Sequence, residues 1–466
     1  MFSIKLNRTN SFIIIVVVMS LLIGAVIGYY FYIKSKNPVP TFEGKDTRGV
    51  NFGYNPNSNA AHSDSTSSYS YTAGTSSPSE IVPRLRHITI EPIAGNDFVF
   101  KTVSVTASSS SNIEPSDTSD VAAVIKASKN PKATETIDTI RYIERATGNI
   151  YETATNTLDT NRLSNTTLTN LYEAFFIGDG NSLILRGLYG DTDVIQTRYA
   201  KLTTVSPTST EQTLTTTDFP INITQAVRSP DWKQLFMINK AGATGQISKP
   251  DGGSAVSVFD SPFREWLATW PNNKEIELNT KPSGGVPGYA YLLNPSTSEL
   301  TRIIGGIDGL TTLMSPDLNK VLYSESSGGD FKLYSLDRTT GAVTDLLSRT
   351  LPEKCVWSTT QKDIIYCGIP DDIAFGLYPD AWYQGAINFS DSIWMINTDT
   401  TEKRLIVSPQ SEVDQPIDVE NPEIDSTGDY LTFQNKIDLS LWGLNLSSST
   451  STLSVPGALN GSSDQF

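Results

Sequence analysis

Histidine and cysteine are scarce in this chain. Among 466 residues the histidines are His62 and His87, and the cysteines are Cys355 and Cys367. With only two histidines, a Ser-His-Asp triad, a His-rich metal site or a histidine general base is not expected. The sequence also lacks phosphate-binding loops, zinc-ligand spacings and nucleophile elbows. It therefore predicts no cofactor, no metal and no catalytic residue set.

Positively charged residues are also fewer than negatively charged ones. The chain has 35 Lys and Arg residues against 50 Asp and Glu residues, a net charge of -15 and a pI near 4.7. Proteins that bind nucleic acids present a basic surface that releases counterions from the phosphates. The acidity therefore predicts no nucleic-acid partner, and it is typical of a soluble, surface-exposed domain.

Long helical patterns are missing from most of the chain, and charged residues are only 18% of it. In their place are 32 Gly, 25 Pro and many Ser, Thr and Asn residues. This composition is typical of many short strands joined by turns. The sequence therefore predicts an all-β fold.

A repeat organises the chain, and its clearest copy covers residues 311–347. Turn-forming Gly, Pro, Asp, Asn and Ser residues divide this copy into four predicted strands, at 311–314, 320–324, 331–336 and 342–346. A four-stranded unit of this size cannot bury both faces alone. It therefore predicts one blade of a β-propeller whose neighbours stack around a ring.

Further copies follow from the turn between the first two strands of this blade. Pro316, Pro271 and Pro230 stand about 41 to 45 residues apart, which matches a propeller blade. Equivalent turns are centred at Thr359, Ser426, Gly178 and Pro92. The seven copies predict about seven four-stranded blades over residues 84–455. Six or eight blades remain alternatives, because the later strands of the copies at Gly178 and Pro230 are weak.

The blade motifs resemble those of TolB-like and WD-repeat-like propellers. In that group SPDG marks the first hairpin of a blade and an LY-x-x-D-x-x-TG stretch crosses the third strand. The matching residues here are Ser315, Pro316, Asp317, Leu333, Tyr334, Asp337, Thr340 and Gly341, and Ser229, Pro230 and Asp231 repeat the first part. The final glycine is replaced by Leu318 and Trp232. The layout also resembles membrane-anchored bacterial propeller proteins, and the resemblance implies a fold rather than an activity.

An uncharged apolar run lies near the N-terminus, at residues 11–33. As a helix it is about 33 Å long, enough to cross a bilayer core, and three tyrosines lie where an interfacial aromatic belt is expected. The run predicts a transmembrane signal anchor after a cytoplasmic tail at 1–10, and the alternative is a cleaved signal peptide. Residues 34–83 are a predicted disordered, Ser/Asn/Thr-rich linker, and 456–466 are a C-terminal tail.

The two cysteines flank a predicted hairpin whose turn centres near Gln361. Cys355 and Cys367 are equally distant from this turn, so they face each other in an antiparallel pair, within disulfide range. A disulfide fits an oxidising compartment and favours a propeller outside the cytoplasmic membrane. The alternative is two buried free thiols. The basic residues on either side of the apolar run nearly balance, so they do not fix its orientation.

Three long connections interrupt the regular repeat. They are a predicted disordered insertion at about 104–133, a shorter one near Thr280, and an aromatic insertion at 369–391. All three are assigned to the connection between the second and third strands of their blades. Since insertions in propellers gather on one face, we expect all three on the same face of the disc.

The aromatic insertion is the predicted binding site, because large rings on exposed loops are enriched at binding hot spots. Its candidate residues are Asp371, Asp372, Phe375, Tyr378, Asp380, Trp382, Tyr383 and Phe389. One alternative is that the rings pack inward and hold the insertion against the disc. Adjacent acids such as Asp371 and Asp372 also suit calcium binding or hydrolysis, but such pairs are usually only solvated.

The sequence favours a binding or scaffolding module at the cell envelope over an enzyme. The expected partner is a protein, a peptide or a glycan, and the membrane is contacted through residues 11–33. The alternative is an envelope glycosidase or lyase that uses Asp or Glu on the propeller face, because ring folds host both kinds of function. Converging acids in a deep channel would indicate hydrolysis, whereas a shallow aromatic face would indicate binding.

Overall fold

The computed structural model describes residues 82–104, 134–164, 166–190, 192–204, 212–240 and 242–447. Within these residues the chain forms seven antiparallel sheets of four strands each. The predicted all-β propeller is confirmed, with seven blades rather than six or eight. The predicted tail at 1–10, anchor at 11–33, most of the linker at 34–83 and the C-terminal tail at 456–466 lie outside the described residues.

Blades 1 to 4 follow one another along the chain, and each is built from four consecutive strands. Blade 1 contains β2 (Ile93–Ser104), β3 (Thr134–Glu144), β4 (Ile150–Ala154) and β5 (Thr160–Arg162). Blade 2 contains β6 (Leu171–Ile177), β7 (Ser182–Leu188), β8 (Ile195–Thr204) and β9 (Gln212–Asp218). Blade 3 contains β10 (Ile223–Arg228), β11 (Leu235–Asn239), β12 (Thr244–Ser248) and β13 (Val256–Asp260). Blade 4 contains β14 (Trp266–Thr269), β15 (Ile276–Thr280), β16 (Pro287–Leu293) and β17 (Leu300–Asp308).

Blades 5 to 7 complete the ring, and the last blade takes its outer strand from the N-terminal side. Blade 5 contains β18 (Thr311–Met314), β19 (Lys320–Ser327), β20 (Asp330–Asp337) and β21 (Val343–Ser348). Blade 6 contains β22 (Cys355–Trp357), β23 (Ile364–Pro370), β24 (Asp391–Asn397) and β25 (Lys403–Val407). Blade 7 contains β26 (Val419–Ile424), β27 (Tyr430–Asn435), β28 (Leu441–Asn445) and, paired with β28, β1 (Leu85–Thr89). The short helices are a 3₁₀ turn (Pro352–Lys354), α1 (Asp380–Tyr383) and α2 (Pro409–Val413).

The first strand of each blade is the innermost one. Contacts between β2 and β6, between β10 and β14, and between β22 and β26 show these strands lying side by side around the centre of the ring. The blades pack face to face on apolar side chains. One such cluster joins Ile406 and Ile393 of blade 6 to Phe433 and Trp442 of blade 7. The core is therefore divided into layers between blades, as expected for stacked repeats.

Polar side chains also link neighbouring blades close to the innermost strands. Asp97 of blade 1 accepts a hydrogen bond from Phe176 N in blade 2 at 2.7 Å. Glu277 of blade 4 accepts one from Met314 N in blade 5 at 3.0 Å. Arg186 of blade 2 donates to Ile223 O in blade 3 at 3.0 Å. These bonds give hydrogen-bond partners to backbone groups of the innermost strands and tie each of these blades to the next.

The repeat at 311–347 forms blade 5 with strands close to the predicted bounds. Its first hairpin is closed by the Ser-Pro-Asp turn, where Ser315 Oγ donates to Asp317 at 2.6 Å and Asp317 accepts from Asn319 N at 3.0 Å. Leu318 and Trp232 occupy the glycine position of this turn in blades 5 and 3. They have φ values of 62° and 61°, in the left-handed region that favours glycine.

Two predicted placements in blade 1 are wrong. Pro92 lies between β1 and β2, which belong to different blades, and so it does not mark a first hairpin. The insertion near 104–133 joins β2 to β3, the first and second strands, rather than the second and third. Both errors have one cause: ring closure gives the N-terminal strand to blade 7, which shifts the strand count of blade 1 by one.

The connection near Thr280 lies between the second and third strands of blade 4, as predicted, and so does the one at 371–390 in blade 6. We call the face that carries these two connections the insertion face. The insertion after Ser104 leaves from the opposite face, which carries the turns at 229–234, 270–275, 315–319, 358–363 and 425–429. We call that side the mouth face. The three insertions therefore do not share one face.

The cysteines lie opposite each other in the first hairpin of blade 6. The register pairs Cys355 with Cys367, and their Sγ atoms are 2.11 Å apart and bonded as a disulfide. Both residues are buried in the cluster between blades 5 and 6, together with Trp357 and Ile396. The bridge therefore ties the innermost strand of blade 6 to its neighbour.

Candidate functional site

The predicted aromatic insertion folds onto blade 6 instead of standing clear of it. Tyr378, Trp382 and Phe389 are 1–3% exposed and pack with Phe331 and Leu351 in one apolar cluster. Helix α1 provides Trp382, and the backbone turns back at Gly385, which has a φ of 68°. Three of the predicted site residues are therefore core residues of the insertion.

A buried ionic centre lies beneath this cluster. Asp418 accepts hydrogen bonds from Trp382 Nε1 at 3.1 and 3.0 Å and from Phe389 N at 3.0 Å. Lys354 Nζ pairs with Asp418 and with Asp391, the latter at 2.7 Å. All three charged side chains are fully buried. The insertion is thus anchored by a tryptophan that hydrogen-bonds to a buried ion pair.

The ionic centre has two carboxyl groups for one ammonium group. Burial, opposed by Lys354 and reinforced by Asp418, raises the pKa of Asp391 to about 6. Asp391 Oδ2 accepts from Val419 N at 2.6 Å, whereas Oδ1 has no hydrogen-bond partner in the described part of the chain. A carboxyl group in this setting gains a proton at a higher pH than an exposed one. The protonation state of Asp391 therefore changes in mild acid, near pH 6.

A second polar anchor lies at Tyr383, whose hydroxyl donates to Glu353. Burial raises the pKa of Glu353 above its usual range, and burial together with the Glu353 charge raises the pKa of Tyr383 well above 10. Asp380 accepts a hydrogen bond from Gly284 N at 2.7 Å, which joins the insertion to the loop near Thr280. A side chain at Gly284 would collide with Tyr378 O, so the close approach requires glycine.

The remaining predicted residues are exposed on the insertion face. Phe375 is 86% exposed, and Leu377 beside it is also exposed. Asp371 accepts from Ser392 Oγ at 2.7 Å, and Asp372 caps its own loop through Ile373 N at 2.9 Å. The structure thus separates the predicted site into buried rings, half-buried anchors at Tyr383 and Asp380, and an exposed tip at Phe375 with two solvated acids.

A cavity opens at the centre of the mouth face, where the innermost strands end. It has a volume of about 540 Å³ and is lined by six of the seven blades. Three tryptophans, Trp232, Trp270 and Trp357, contribute to its wall, and the first turns add Pro230 and Pro271. Most other lining side chains are apolar. We call this cavity the channel mouth.

Among the residues that the structure describes, charge in the channel mouth is confined to one side. Its charged lining residues are Asp97, Arg228 and Glu423. Arg228 pairs with Asp97 and lies 4.0 Å from Glu423 Oε1. Burial and the neighbouring Asp97 raise the pKa of Glu423 well above its usual range, and Arg228 opposes the shift. Glu423 keeps 36% of its side chain accessible inside the mouth.

Trp232 reaches the channel mouth from a strained turn position. Its φ of 61° is unusual for a bulky residue, and its ring lies beneath the Arg228 guanidinium at 4.5 Å. The equivalent turn positions in blades 2 and 7 have Gly180 and Gly428, also at positive φ. Strain of this kind persists where the surroundings hold it, and it is concentrated at functional sites. Because Leu318, Gly180 and Gly428 share this conformation, the positive φ belongs to the repeated turn. Blade 3 differs in placing a tryptophan ring from this position in the mouth.

The sequence patterns did not predict a binding site at the channel mouth. Its residues come from six distant segments, and only ring closure brings them together. One signal was present: Trp270 and Trp357 both stand at the end of a first strand, next to the turn used to align the blades. Tryptophan recurring at that position in different blades indicates a shared inner wall.

Two further observations bear on the kind of site. Among the residues that the structure describes, no group of three or more His, Cys, Asp or Glu side chains is placed to hold a metal ion. Over the same part of the chain, no helix is both long and apolar enough to cross a membrane, and the predicted span at 11–33 lies outside it.

Comparison with known proteins finds only remote structural similarity. No known family profile matches the chain, and no curated protein is significantly similar to it. The chain is similar to TolB from Acinetobacter baumannii, at 13% identity and a TM-score of 0.37, over 57% of this chain and 62% of that one. A putative TolB from Agrobacterium tumefaciens matches at 18% identity and a TM-score of 0.33, over 47% and 72%.

An oligogalacturonate lyase from Vibrio parahaemolyticus is also similar, at 11% identity and a TM-score of 0.42, over 76% of this chain and 98% of that one. At these values the similarities concern fold and carry no argument about activity. The sheets themselves define the class: the chain is a seven-bladed β-propeller with an outer strand supplied from its N-terminal side. The TolB-like resemblance of its blade motifs agrees with the two TolB structures.

Proposed function

We propose that the protein is a membrane-anchored, extracytoplasmic binding module that holds a peptide segment of a partner protein in the channel mouth. The observation that carries this proposal is the mouth itself, a 540 Å³ concavity with three tryptophans at the axis of a rigid ring. Concave, mostly apolar sites of this kind bury much of the surface of a bound ligand. A binding or scaffolding role at the cell envelope follows.

A peptide suits the lining better than a glycan does. The wall is mostly Trp, Pro, Leu, Met, Val and Ile, with few hydrogen-bonding side chains. A sugar would bury many hydroxyl groups, and each one without a partner would cost free energy. A peptide can bury apolar side chains here and keep its polar backbone toward the open side. The partner is therefore a protein or peptide.

The arrangement of acids favours binding over hydrolysis by a glycosidase or lyase. Of the two acids in the mouth, Asp97 is already engaged by Phe176 N and by Arg228. Glu423 in turn hydrogen-bonds to Asp97, whereas the two carboxyl groups of a glycosidase stand at least about 5 Å apart. Glycoside hydrolysis usually requires two carboxyl groups with separate roles.

Residues 11–33 serve as the membrane anchor in this proposal, and the linker at 34–83 separates the ring from the bilayer. The disulfide supports a location outside the cytoplasm, because such bonds persist in oxidising compartments. Fractionation tests the anchor. The full chain should stay with membranes in high salt, and a chain that begins at residue 34 should be released. Release of both would refute the anchor.

Peptide selection tests the binding function. Purified full-length protein in detergent micelles is screened against a displayed library of random peptides, beside a Trp232→Ser variant with an altered mouth. The matched control is Phe375→Ser, which changes an exposed ring on the opposite face. We expect peptides with a Kd below about 100 μM that bind the native protein and the control, and that bind the mouth variant at least tenfold more weakly.

Two results would refute this function. One is the absence of any enriched peptide, and the other is enrichment that Trp232→Ser leaves unchanged. Enrichment lost in Phe375→Ser but kept in Trp232→Ser would place the binding site on the insertion face. Capture of oligosaccharides in place of peptides would assign the mouth to glycans.

A further inference from the structure

We propose that the channel mouth selects a lysine or arginine side chain of its peptide ligand, with Glu423 as the counter-ion. This inference rests on the proposed function, because it names the chemistry that the same cavity recognises. A long basic side chain has an apolar stem and a charged end. Its complement is an apolar pocket with one carboxyl group that no cation of the protein fully neutralises.

Among the described residues of the mouth, Glu423 is the carboxyl group that fits this description. Asp97 accepts from Phe176 N at 2.7 Å and pairs with Arg228, so these two opposite charges are committed to each other. Arg228 also donates to Phe176 O at 2.7 Å, which fixes it toward blade 2. Glu423 is 4.0 Å from Arg228, beyond hydrogen-bond distance. The described lining therefore has one more carboxyl group than it has cations.

The groups around Glu423 do not replace a cation. From β2, Asn96 Nδ2 donates weakly to Glu423 Oε2 at 3.5 Å. The Asp97 carboxylate repels the ionised Glu423 and hydrogen-bonds to its protonated form. From β10, Arg228 attracts Glu423 while it is held by Asp97. The pKa of Glu423 is accordingly high, through burial first and repulsion second. A ligand ammonium or guanidinium group would stabilise the ionised carboxyl and displace its proton.

The apolar part of the mouth suits the stem. Trp270 and Trp357 are each 7% exposed, so both rings are packed into the apolar wall and only a small part of each is accessible. Trp232 shows that this wall accommodates a cation, since Arg228 stacks on its ring at 4.5 Å. The net charge of -15 attracts basic segments to the whole domain. Charge and shape therefore favour the same ligand class.

Four pools of decapeptides test the inference. In each pool one residue near the middle of the peptide is fixed as Lys, Arg, norleucine or Glu. The residues on either side of it are mixed. Capture on immobilised full-length protein in detergent is measured at pH 7.5. We expect the Lys and Arg pools to be captured at least tenfold more than norleucine, and the Glu pool least. The preference should disappear in Glu423→Gln, which keeps the shape of the side chain, and persist in Asp372→Asn on the opposite face.

Calorimetry in two buffers with different ionisation enthalpies gives a second readout. Binding of a captured Lys peptide should release up to one proton per ligand from the native protein and none from Glu423→Gln. Equal capture of all four pools, with loss in Trp232→Ser, would refute the selectivity and leave the peptide function standing. Capture of no pool would refute the peptide function itself. A Lys preference that survives in Glu423→Gln would refute the role of Glu423.

Discussion

Trp382 was predicted to contact a ligand, but it is a buried residue that holds the insertion in place. Its ring is 2% exposed, and its indole N–H donates to the buried Asp418. Phe375, seven residues earlier in the same insertion, is 86% exposed. Both are aromatic residues in a loop, and the sequence does not distinguish them. The difference arises from the ion pair beneath the insertion, which provides a partner for Trp382.

The two rings should therefore differ sharply in their effect on stability. Trp382→Ala should lower the free energy of unfolding by about 3–5 kcal/mol, because it leaves a cavity and removes a hydrogen bond from a buried carboxylate. Phe375→Ala, the matched control, should change it by less than about 0.5 kcal/mol. Urea unfolding followed by fluorescence measures both. Similar values for the two variants would contradict the buried position of Trp382.

Asp391 should make the stability depend on pH. The pKa of this carboxyl is about 6 in the folded state, against an ordinary value of 3.8 for aspartate, so the folded state binds its proton more tightly. The stabilisation from this group is full below about pH 4 and is lost as the pH rises through 6. Asp391→Asn removes this titration. Relative to the native protein, the variant should become more stable as the pH rises from 4 to 7.

Urea unfolding at four pH values between 4 and 7 provides the measurement for Asp391. Asp372→Asn, which changes an exposed acid in the same insertion, should show no such trend. A difference between Asp391→Asn and the native protein that stays constant with pH would refute the assignment of the titration to this residue.

At the scale of elements, the register of the hairpin of β22 and β23 was predicted correctly from the sequence. Equal distances from the turn predicted that Cys355 faces Cys367, and the register pairs them. A hairpin register depends on local chain geometry alone, so spacing is sufficient to predict it. The insertion that follows differs, because its packing depends on residues from blades 5 and 7.

Loss of the disulfide should destabilise this hairpin. Replacing both cysteines with alanine should lower the free energy of unfolding by about 3 kcal/mol, since the bridge closes a short loop in the unfolded chain. Treatment of the native protein with a phosphine reductant should have a similar effect, and the double variant should not respond to the reductant. A native protein whose midpoint is unchanged by reduction would contradict a stabilising bridge.

At the scale of the whole molecule, β1 closes the ring. It pairs with β28 from Leu85↔Leu444 to Thr89↔Leu441, and His87 stacks on Trp442 at 4.1 Å. Arg84 beside it donates to Ile406 O of blade 6 at 3.0 Å. One strand from the start of the domain thus holds together blades formed near its end, which makes the ring depend on both ends.

A chain that begins at Pro92 should therefore be less stable than one that begins at Val82, from which it differs only by β1 and its flanks. The loss of the buried Leu85 and Ile88 side chains costs about 5 kcal/mol, and the exposed edge of β28 favours association between chains. The expected result is a melting temperature several degrees lower, with oligomers on size exclusion. Equal melting temperatures and two monomers would show that closure contributes little.

The sequence by itself determined the architecture, because blades are local units. Turn residues and alternating strands lie within about 45 residues of one another, so blade 5 could be read strand by strand and the number of copies gave the number of blades. The predicted number of blades is right, but the assignment of strands failed at β1 and Pro92, where closure joins residues far apart in the chain. That failure also placed the insertion after Ser104 on the wrong face.

The tertiary structure alone decided where the candidate sites lie. The channel mouth gathers Trp232, Trp270, Trp357 and Glu423 from four blades, and no local pattern states that these positions converge. Likewise, only the structure shows that Asp418, beyond the insertion, accepts from Trp382 and so turns a predicted contact residue into an anchor. Strand patterns come from forces between near neighbours, whereas a cavity at the ring axis exists only after all seven blades have closed.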